Sequence, residues 1–273
     1  MPSSMRFRDL AILTGVAGIG MFAYGYLVGR HQLTLERRVL CLPGLPERLD
    51  GFRIAVLADL HIHDVESAEL SARAVALALA EDPDVVVIVG DFVQHWSPSV
   101  PKLLGDVLEP LLLMNGAVVA VPGNHDYDDG DASLLEPICD VLNIKLLRNA
   151  AWDHLGISWV GVDSYSAGKS DAALAMSHRG EEPCIAIWHE PDAADILPEG
   201  ALLQISGHSH GGQFVLPGGI TPKRTFMGRK YFSGFYPHAK TPVYVSRGIG
   251  TTFLPSRFNC PPEVSLLTLK ALS

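Results

Sequence analysis

Arg53-Ile54-Ala55-Val56-Leu57-Ala58-Asp59-Leu60-His61 runs from an apolar stretch into a carboxylate and an imidazole. A short apolar run of this kind reads as a strand buried on both faces. Val85-Val86-Val87-Ile88-Val89 ends likewise in Gly90-Asp91. Ala117-Val118-Val119-Ala120-Val121 ends in Pro122-Gly123-Asn124-His125-Asp126, and Cys184-Ile185-Ala186-Ile187-Trp188 ends in His189-Glu190-Pro191. In α/β sheets the C-terminal strand edge is where ligands bind. A single Asp after a strand is ordinarily a turn or cap residue. Gly123-Asn124-His125-Asp126 alone is a stretch of turn formers. A whole series of strands that each end in Asp, Asn or His points instead to one shared site.

A fifth run, Ala201-Leu202-Leu203-Gln204-Ile205, leads into Ser206-Gly207-His208-Ser209-His210-Gly211-Gly212. Two imidazoles presented from one turn suit a transition metal. The flanking glycines let the backbone turn sharply and pass close to something bound.

Between the early strands lie helical patterns at about residues 67–80, 100–113 and 132–142, the first stopped by Pro83. This βαβα half predicts parallel pairing with right-handed crossovers. The second half is expected to hold short strands at about 145–147, 157–162, 184–188, 202–205, 243–245 and 264–269. They should form a second, largely antiparallel sheet packed on the first.

The series Asp59-x-His61, Gly90-Asp91, Gly123-Asn124-His125-Asp126, His189 and Gly207-His208-x-His210 resembles the calcineurin-like metallophosphoesterases, from about Asp50 onward. Leu49-Asp50-Gly51-Phe52-Arg53-Ile54, His208-Ser209-His210-Gly211-Gly212-Gln213 and Arg257-Phe258-Asn259-Cys260-Pro261-Pro262-Glu263-Val264 are similar to the membrane-linked bacterial branch of YkuE- and YaeI-type phosphodiesterases. The resemblance implies an α/β fold of four αββα layers: two mixed sheets face to face, helices outside, metals at one rim.

It also implies two divalent ions. Asp59, His61 and His210 would hold the first; Asn124, His189 and His208 would hold the second. A carboxylate can bridge, which assigns Asp91 to both. Nitrogen and oxygen donors without sulfur suit Mn²⁺, Fe²⁺ or Zn²⁺, and Mn²⁺ is the ion expected. Such a dinuclear centre is expected to create a bridging hydroxide and to clamp the phosphoryl oxygens. His125, beside a ligand but not counted as one, is the candidate general acid, with Asp126 expected to orient its ring. Arg247 and Arg257 are weaker candidates for meeting a phosphate, and the aromatic run Tyr231–Tyr236 for an acyl-binding rim.

The expected activity is therefore phosphodiester or pyrophosphate hydrolysis. The branch resembled includes enzymes that cleave UDP-2,3-diacylglucosamine, a lipid A precursor. A broad-specificity phosphodiesterase for nucleotide or cell-wall diesters is the alternative. A non-catalytic scaffold would lack several ligands, and this chain lacks none. Zinc-dependent peptide hydrolysis would want His-Glu-x-x-His, and His189-Glu190-Pro191 breaks off first.

Composition agrees with a globular enzyme: 273 residues, 48% hydrophobic, 19% charged. A net charge of −9 without basic clusters argues against nucleic acid as partner. The cysteines Cys41, Cys139, Cys184 and Cys260 form no Cys-x-x-Cys motif. After a short tail (1–9), the uncharged segment 10–29 has about the ~20 residues that span a bilayer. An uncleaved single-pass anchor in the bacterial inner membrane is expected, with a cleaved signal peptide as the alternative. Arg6 and Arg8 on one flank, and Arg30, Arg37 and Arg38 on the other, leave the orientation open. A connector (30–50), in which Leu35–Leu42 is expected to form a first edge strand, and the catalytic domain (51–273) complete a chain expected to act as a monomer.

Overall fold

The structure is a computed structural model that describes residues 7–272, with side chains described from residue 15. The first sheet contains β1 (Thr34–Leu42), β2 (Arg53–Leu57), β3 (Val85–Val89), β4 (Val118–Val121), β5 (Lys145–Leu146) and β12 (Glu263–Ala271), in the order β1-β12-β2-β3-β4-β5. The second contains β6 (Ala150–His154), β7 (Ile157–Val162), β8 (Cys184–Trp188), β9 (Ala201–Ser206), β10 (Gly234–Tyr236) and β11 (Val243–Val245), in the order β10-β11-β9-β8-β7-β6. The helices are α1 (Phe7–Leu27), α2 (Val65–Leu79), α3 (Val100–Leu108), α4 (Glu136–Val141) and α5 (Ala172–Ser177).

Strand alternation sorts the core into layers. On β3, Val85, Val87 and Val89 face the second sheet and meet Trp159, Ile187 and Ile205. Val86 and Ile88 face the other way, into a core shared with α2 and α3. Successive side chains point to opposite faces, so a strand that is apolar throughout feeds two cores at once. A third core, with Val160, Ala186 and Trp188, lies under α5. Asp64 caps α2 by accepting from the Ser67 amide in a capping box, and Ala68, Ala74, Val75 and Ala78 line its buried face.

Two expectations need correction. The second sheet is parallel at its centre: β7, β8, β9 and β11 run the same way, and antiparallel pairing is confined to β6 and β10 at the edges. Short turn-like connections suggested hairpins, but the chain crosses over instead. The expected strand near 264–269, assigned to the second sheet, is β12. It lies inside the first, parallel to β1 and antiparallel to β2. β1 is the edge strand expected at Leu35–Leu42 within the connector, beginning one residue earlier.

The segment expected to anchor the chain in a membrane is α1. Its residues 10–14 lie outside those with described side chains. Among the described residues, no helix is long and apolar enough to cross a membrane. The end of α1 packs on the domain: the Arg257 amide donates to the Gly25 carbonyl at 3.2 Å, and the Ser256 hydroxyl to the Phe22 carbonyl at 3.0 Å.

Gly161 on β7 shows how tightly the sheets meet. A Cβ there would stand 2.2 Å from Leu147 Cβ and 2.9 Å from Val121 Cγ1. Gly161→Ala is therefore expected to destabilise the fold by about 1–3 kcal/mol, the usual cost of overpacking. Urea denaturation checks this, and unchanged stability would mean the sheets separate more easily than their packing indicates.

Candidate metal centre

The loops that follow β2, β3, β4, β8 and β9 converge at one rim of the two sheets. Their backbone is unusual. Asp59, His61, Asp91, His208 and His210 all have positive φ, between 49° and 67°. That region is sparsely used by residues with side chains, though Asp, Asn and His tolerate it best. Such strain, ~1–3 kcal/mol per residue, concentrates where a site requires it. The loops also approach one another closely. A Cβ on Gly123 would stand 2.3 Å from Asp91 Oδ1, so only glycine lets the two turns meet.

The side chains form two overlapping groups. Asp59, His61, Asp91 and His210 each offer one donor atom within 4.8 Å of the others, and so do Asp91, His189 and His208. Asp91 belongs to both. His61 Nε2 lies 3.0 Å from His210 Nε2, and His189 Nε2 lies 3.1 Å from Asp91 Oδ2 and 3.2 Å from His208 Nδ1. All these groups are buried.

The far ring nitrogens fix which atom faces the cluster. His189 Nδ1–H donates to the Val89 carbonyl at 2.7 Å, and His208 Nε2–H donates to the Phe226 carbonyl at 2.6 Å. Each turns its other nitrogen toward the centre, as ligating histidines are typically held. Behind His210 sits the fully buried guanidinium of Arg257, with Nη2 3.2 Å from Nδ1. It is otherwise satisfied by carbonyl oxygens of residues 247, 248, 250 and 260. Asp59 accepts the His208 amide at 2.9 Å, and Asp91 Oδ1 accepts the His125 amide at 2.8 Å.

The electrostatics suit cation binding. Burial pushes His61 down to about 3 and holds His210 well below its ordinary range, so both rings are neutral. Burial pushes the Asp59 carboxyl up to about 7. Burial also works against the Asp91 charge, but the adjacent His189 and His61 outweigh it and keep that carboxyl well below the usual range. Asn124 Oδ1 is buried without a hydrogen-bond partner. Imidazoles and carboxylates gathered in two groups, with an orphaned carbonyl oxygen on a neighbouring loop, are a donor set that fits divalent cations. Six of the seven residues expected from the sequence thus reach one place, and Asn124 lies on the loop that follows β4.

One expectation fails. Asp126 does not orient His125. Its carboxylate turns inward and accepts the amides of Gly123 at 2.8 Å and Val93 at 3.1 Å; burial, with the nearby Asp91 charge, pushes it up to about 8. The group beside the ring is Asp128, whose Oδ2 lies 2.8 Å from His125 Nδ1. The turn at 125–127 explains the exchange, because one helical turn brings residue i+3 back under residue i. The other edge of the ring faces Thr252, with Nε2 3.4 Å from Oγ1. Nothing in the sequence marked Thr252 or the burial of Arg257. Arg247 is paired with Glu263 and Glu36, so neither arginine is free to meet a phosphate. The aromatic run packs inward through Tyr231, which stacks edge-on with Tyr236 at 5.0 Å.

The calcineurin-like phosphoesterase family profile matches residues 52–212, the stretch that supplies every one of these loops. The chain belongs to the calcineurin-like phosphoesterases. It is 30% identical to the uncharacterised metallophosphoesterase YkuE of Bacillus subtilis, over 97% of this chain and 95% of that one. It is 28% identical to the phosphodiesterase YaeI of Escherichia coli, over 80% of this chain and 82% of that one. A Pseudomonas putida nuclease of known structure shares 21% identity over 71% of this chain and 74% of that one, with a TM-score of 0.39. This calcineurin-like chain is thus a phosphoester hydrolase, with residues placed to hold divalent metal.

Proposed function

We propose that the chain is a phosphodiesterase working with two divalent cations. Asp59, His61, Asp91 and His210 would hold one; Asp91, Asn124, His189 and His208 would hold the other. The observation that carries this is the pair of donor groups sharing Asp91; the orphaned Asn124 oxygen is unpartnered and would complete the second. The cations would supply Lewis-acid polarisation of the phosphoryl group and activation of the attacking water. Mn²⁺ is the first choice, with Fe²⁺ or Zn²⁺ as alternatives.

The protein's own groups do the rest. His125 holds a proton at Nε2, on the open side of its ring, and passes it to the leaving oxygen. Asp128 at Nδ1 supports the cationic ring before transfer. A cavity of about 390 Å³ beside Asn124, lined by Tyr127, Asp128, Ser166 and Lys169, offers polar groups to one half of a diester. YaeI carries the name phosphodiesterase, which favours diesters over monoesters here too. A lipid-linked pyrophosphate such as UDP-2,3-diacylglucosamine is the finer reading. With it go an inner-membrane location through α1, a catalytic domain on the cytoplasmic side, and action as a monomer.

The full chain, stripped and reloaded with Mn²⁺, is expected to cleave bis(p-nitrophenyl) phosphate faster than p-nitrophenyl phosphate. Preference for the monoester would overturn the diesterase reading, and inertness toward UDP-2,3-diacylglucosamine would remove the lipid precursor.

A further inference from the structure

His125 sits on a turn of only three residues, His125–Tyr127. Within it, the Tyr127 amide donates to the Asn124 carbonyl at 3.2 Å and the Asp128 amide to the His125 carbonyl at 3.0 Å. Two such bonds do not by themselves fix the turn against either sheet. On one side Asp126 ties it to the first sheet, accepting the Gly123 and Val93 amides, and Trp96 Nε1–H donates to the Asp126 carbonyl at 2.8 Å. On the other side the turn reaches the second sheet through Tyr127.

The Tyr127 hydroxyl donates to Asp163 Oδ1 at 2.6 Å. Asp163 directly follows β7 and is buried. Its carboxylate is fixed in turn. Oδ2 accepts from Arg148 Nε at 3.0 Å, and Oδ1 also accepts the Ser164 amide at 2.7 Å. Its own amide donates to Asn149 Oδ1 at 3.0 Å. Arg148 and Asn149 lie in the link from β5 to β6, where the chain passes from one sheet to the other. Arg148 also donates to the Tyr127 oxygen at 3.3 Å and to Glu136 at 3.0 Å. Burial, with the Asp163 carboxylate beside it, raises the Tyr127 hydroxyl well above its ordinary range, so it stays a donor. Neither Tyr127 nor Asp163 belongs to a metal donor group. A charge-assisted network of this kind holds its members in one arrangement, and here it ends two residues from the His125 ring.

From this geometry we infer that Tyr127 and Asp163 are positioning residues for proton delivery: the pair fixes the turn so that His125 Nε2 points at the leaving oxygen. The inference rests on the reading of His125 as proton donor. In the step itself, water adds to phosphorus and loses a proton to solvent, and the P–O bond to the leaving alcohol breaks. The departing oxygen takes the His125 Nε2 proton, which solvent later restores. Tyr127 and Asp163 neither gain nor lose a proton. A misplacement of about 1 Å can cost ~10²-fold in rate, so loosening the turn should be visible in the kinetics.

The test compares methyl phenyl phosphate with methyl p-nitrophenyl phosphate, using the full-length Mn²⁺-loaded protein. p-Nitrophenolate leaves well without a proton and phenolate does not. The ratio of the two kcat values therefore reads proton delivery rather than folding. His125→Ala sets the scale and should widen the ratio most. Tyr127→Phe, which removes only the hydroxyl, is expected to widen it about tenfold, part of the ~10²–10⁴ of a whole general acid. Bound metal and KM should stay at native values. Asp163→Asn should act in the same direction. In a His125→Ala background, Tyr127→Phe should change nothing further, because nothing is left to position. An equal fall on both esters, a loss of metal, or a further fall in the double variant would overturn the inference and leave His125 as the donor. If His125→Ala itself leaves the ratio unchanged, the proton-donor reading falls and this inference with it.

Discussion

Asp91→Asn is expected to abolish diester hydrolysis and to lower bound metal below two ions per chain. The substitution keeps the side chain's size, so the fold should survive. Among the described residues, it removes the only carboxylate that belongs to both donor groups. It also removes the charge that, against the cost of burial, holds the His189 ring above its ordinary range in the metal-free protein. Lewis-acid stabilisation is worth several kcal/mol, and each 1.36 kcal/mol is a factor of ten in rate, so the loss in kcat should be about 10³-fold or more. Elemental analysis beside bis(p-nitrophenyl) phosphate turnover reads both consequences. A variant that kept two metals and its activity would show that the two groups work independently.

His125→Ala is expected to separate the two readouts. No atom of its ring belongs to either donor group, although the ring stands edge-on to His61 at 4.8 Å. Metal content should therefore stay at the native level. Turnover should fall by ~10²–10⁴, the span of a general acid's contribution. Asp128→Asn, which removes the carboxylate at Nδ1, should fall in the same direction by less. If His125→Ala loses metal along with activity, the ring supports the ligands and is not the proton donor.

How far these residues were legible depended on whether the signal was local. The strands ending in Asp59, Asp91, Asn124 and His189 are apolar along nearly their whole length because both faces are covered, and that shows in the chain itself. The ligand types were legible for a second reason: Asp and His tolerate the left-handed backbone that these turns impose. The helix at 67–80 was readable from its alanine spacing and Pro83, and it forms α2 nearly as expected.

Pairing partners were a different matter. β7, β8 and β9 carry no mark of whether a neighbour runs parallel, because register is settled by the packed sheet. The exchange of Asp126 for Asp128 turned on the local turn at 125–127, where either acid was close enough in sequence. The bond from Tyr127 to Asp163 was illegible for the same kind of reason. Its partners stand 36 residues apart, and only the folded chain brings them together.

The position of β12 has a consequence for how this protein is made. It enters between β1 and β2, two strands synthesised long before it. At roughly 5–20 residues per second, the ribosome needs on the order of 10–40 s to travel from Leu57 to Glu263. Through that interval β2 is an open edge, and β1 has nothing to pair with. Biogenesis must therefore keep two strand edges from finding the wrong mate until nearly the whole polypeptide is out. A nascent chain released shortly before Glu263 would carry every metal-binding residue and still lack the strand that joins β1 to the rest of its sheet.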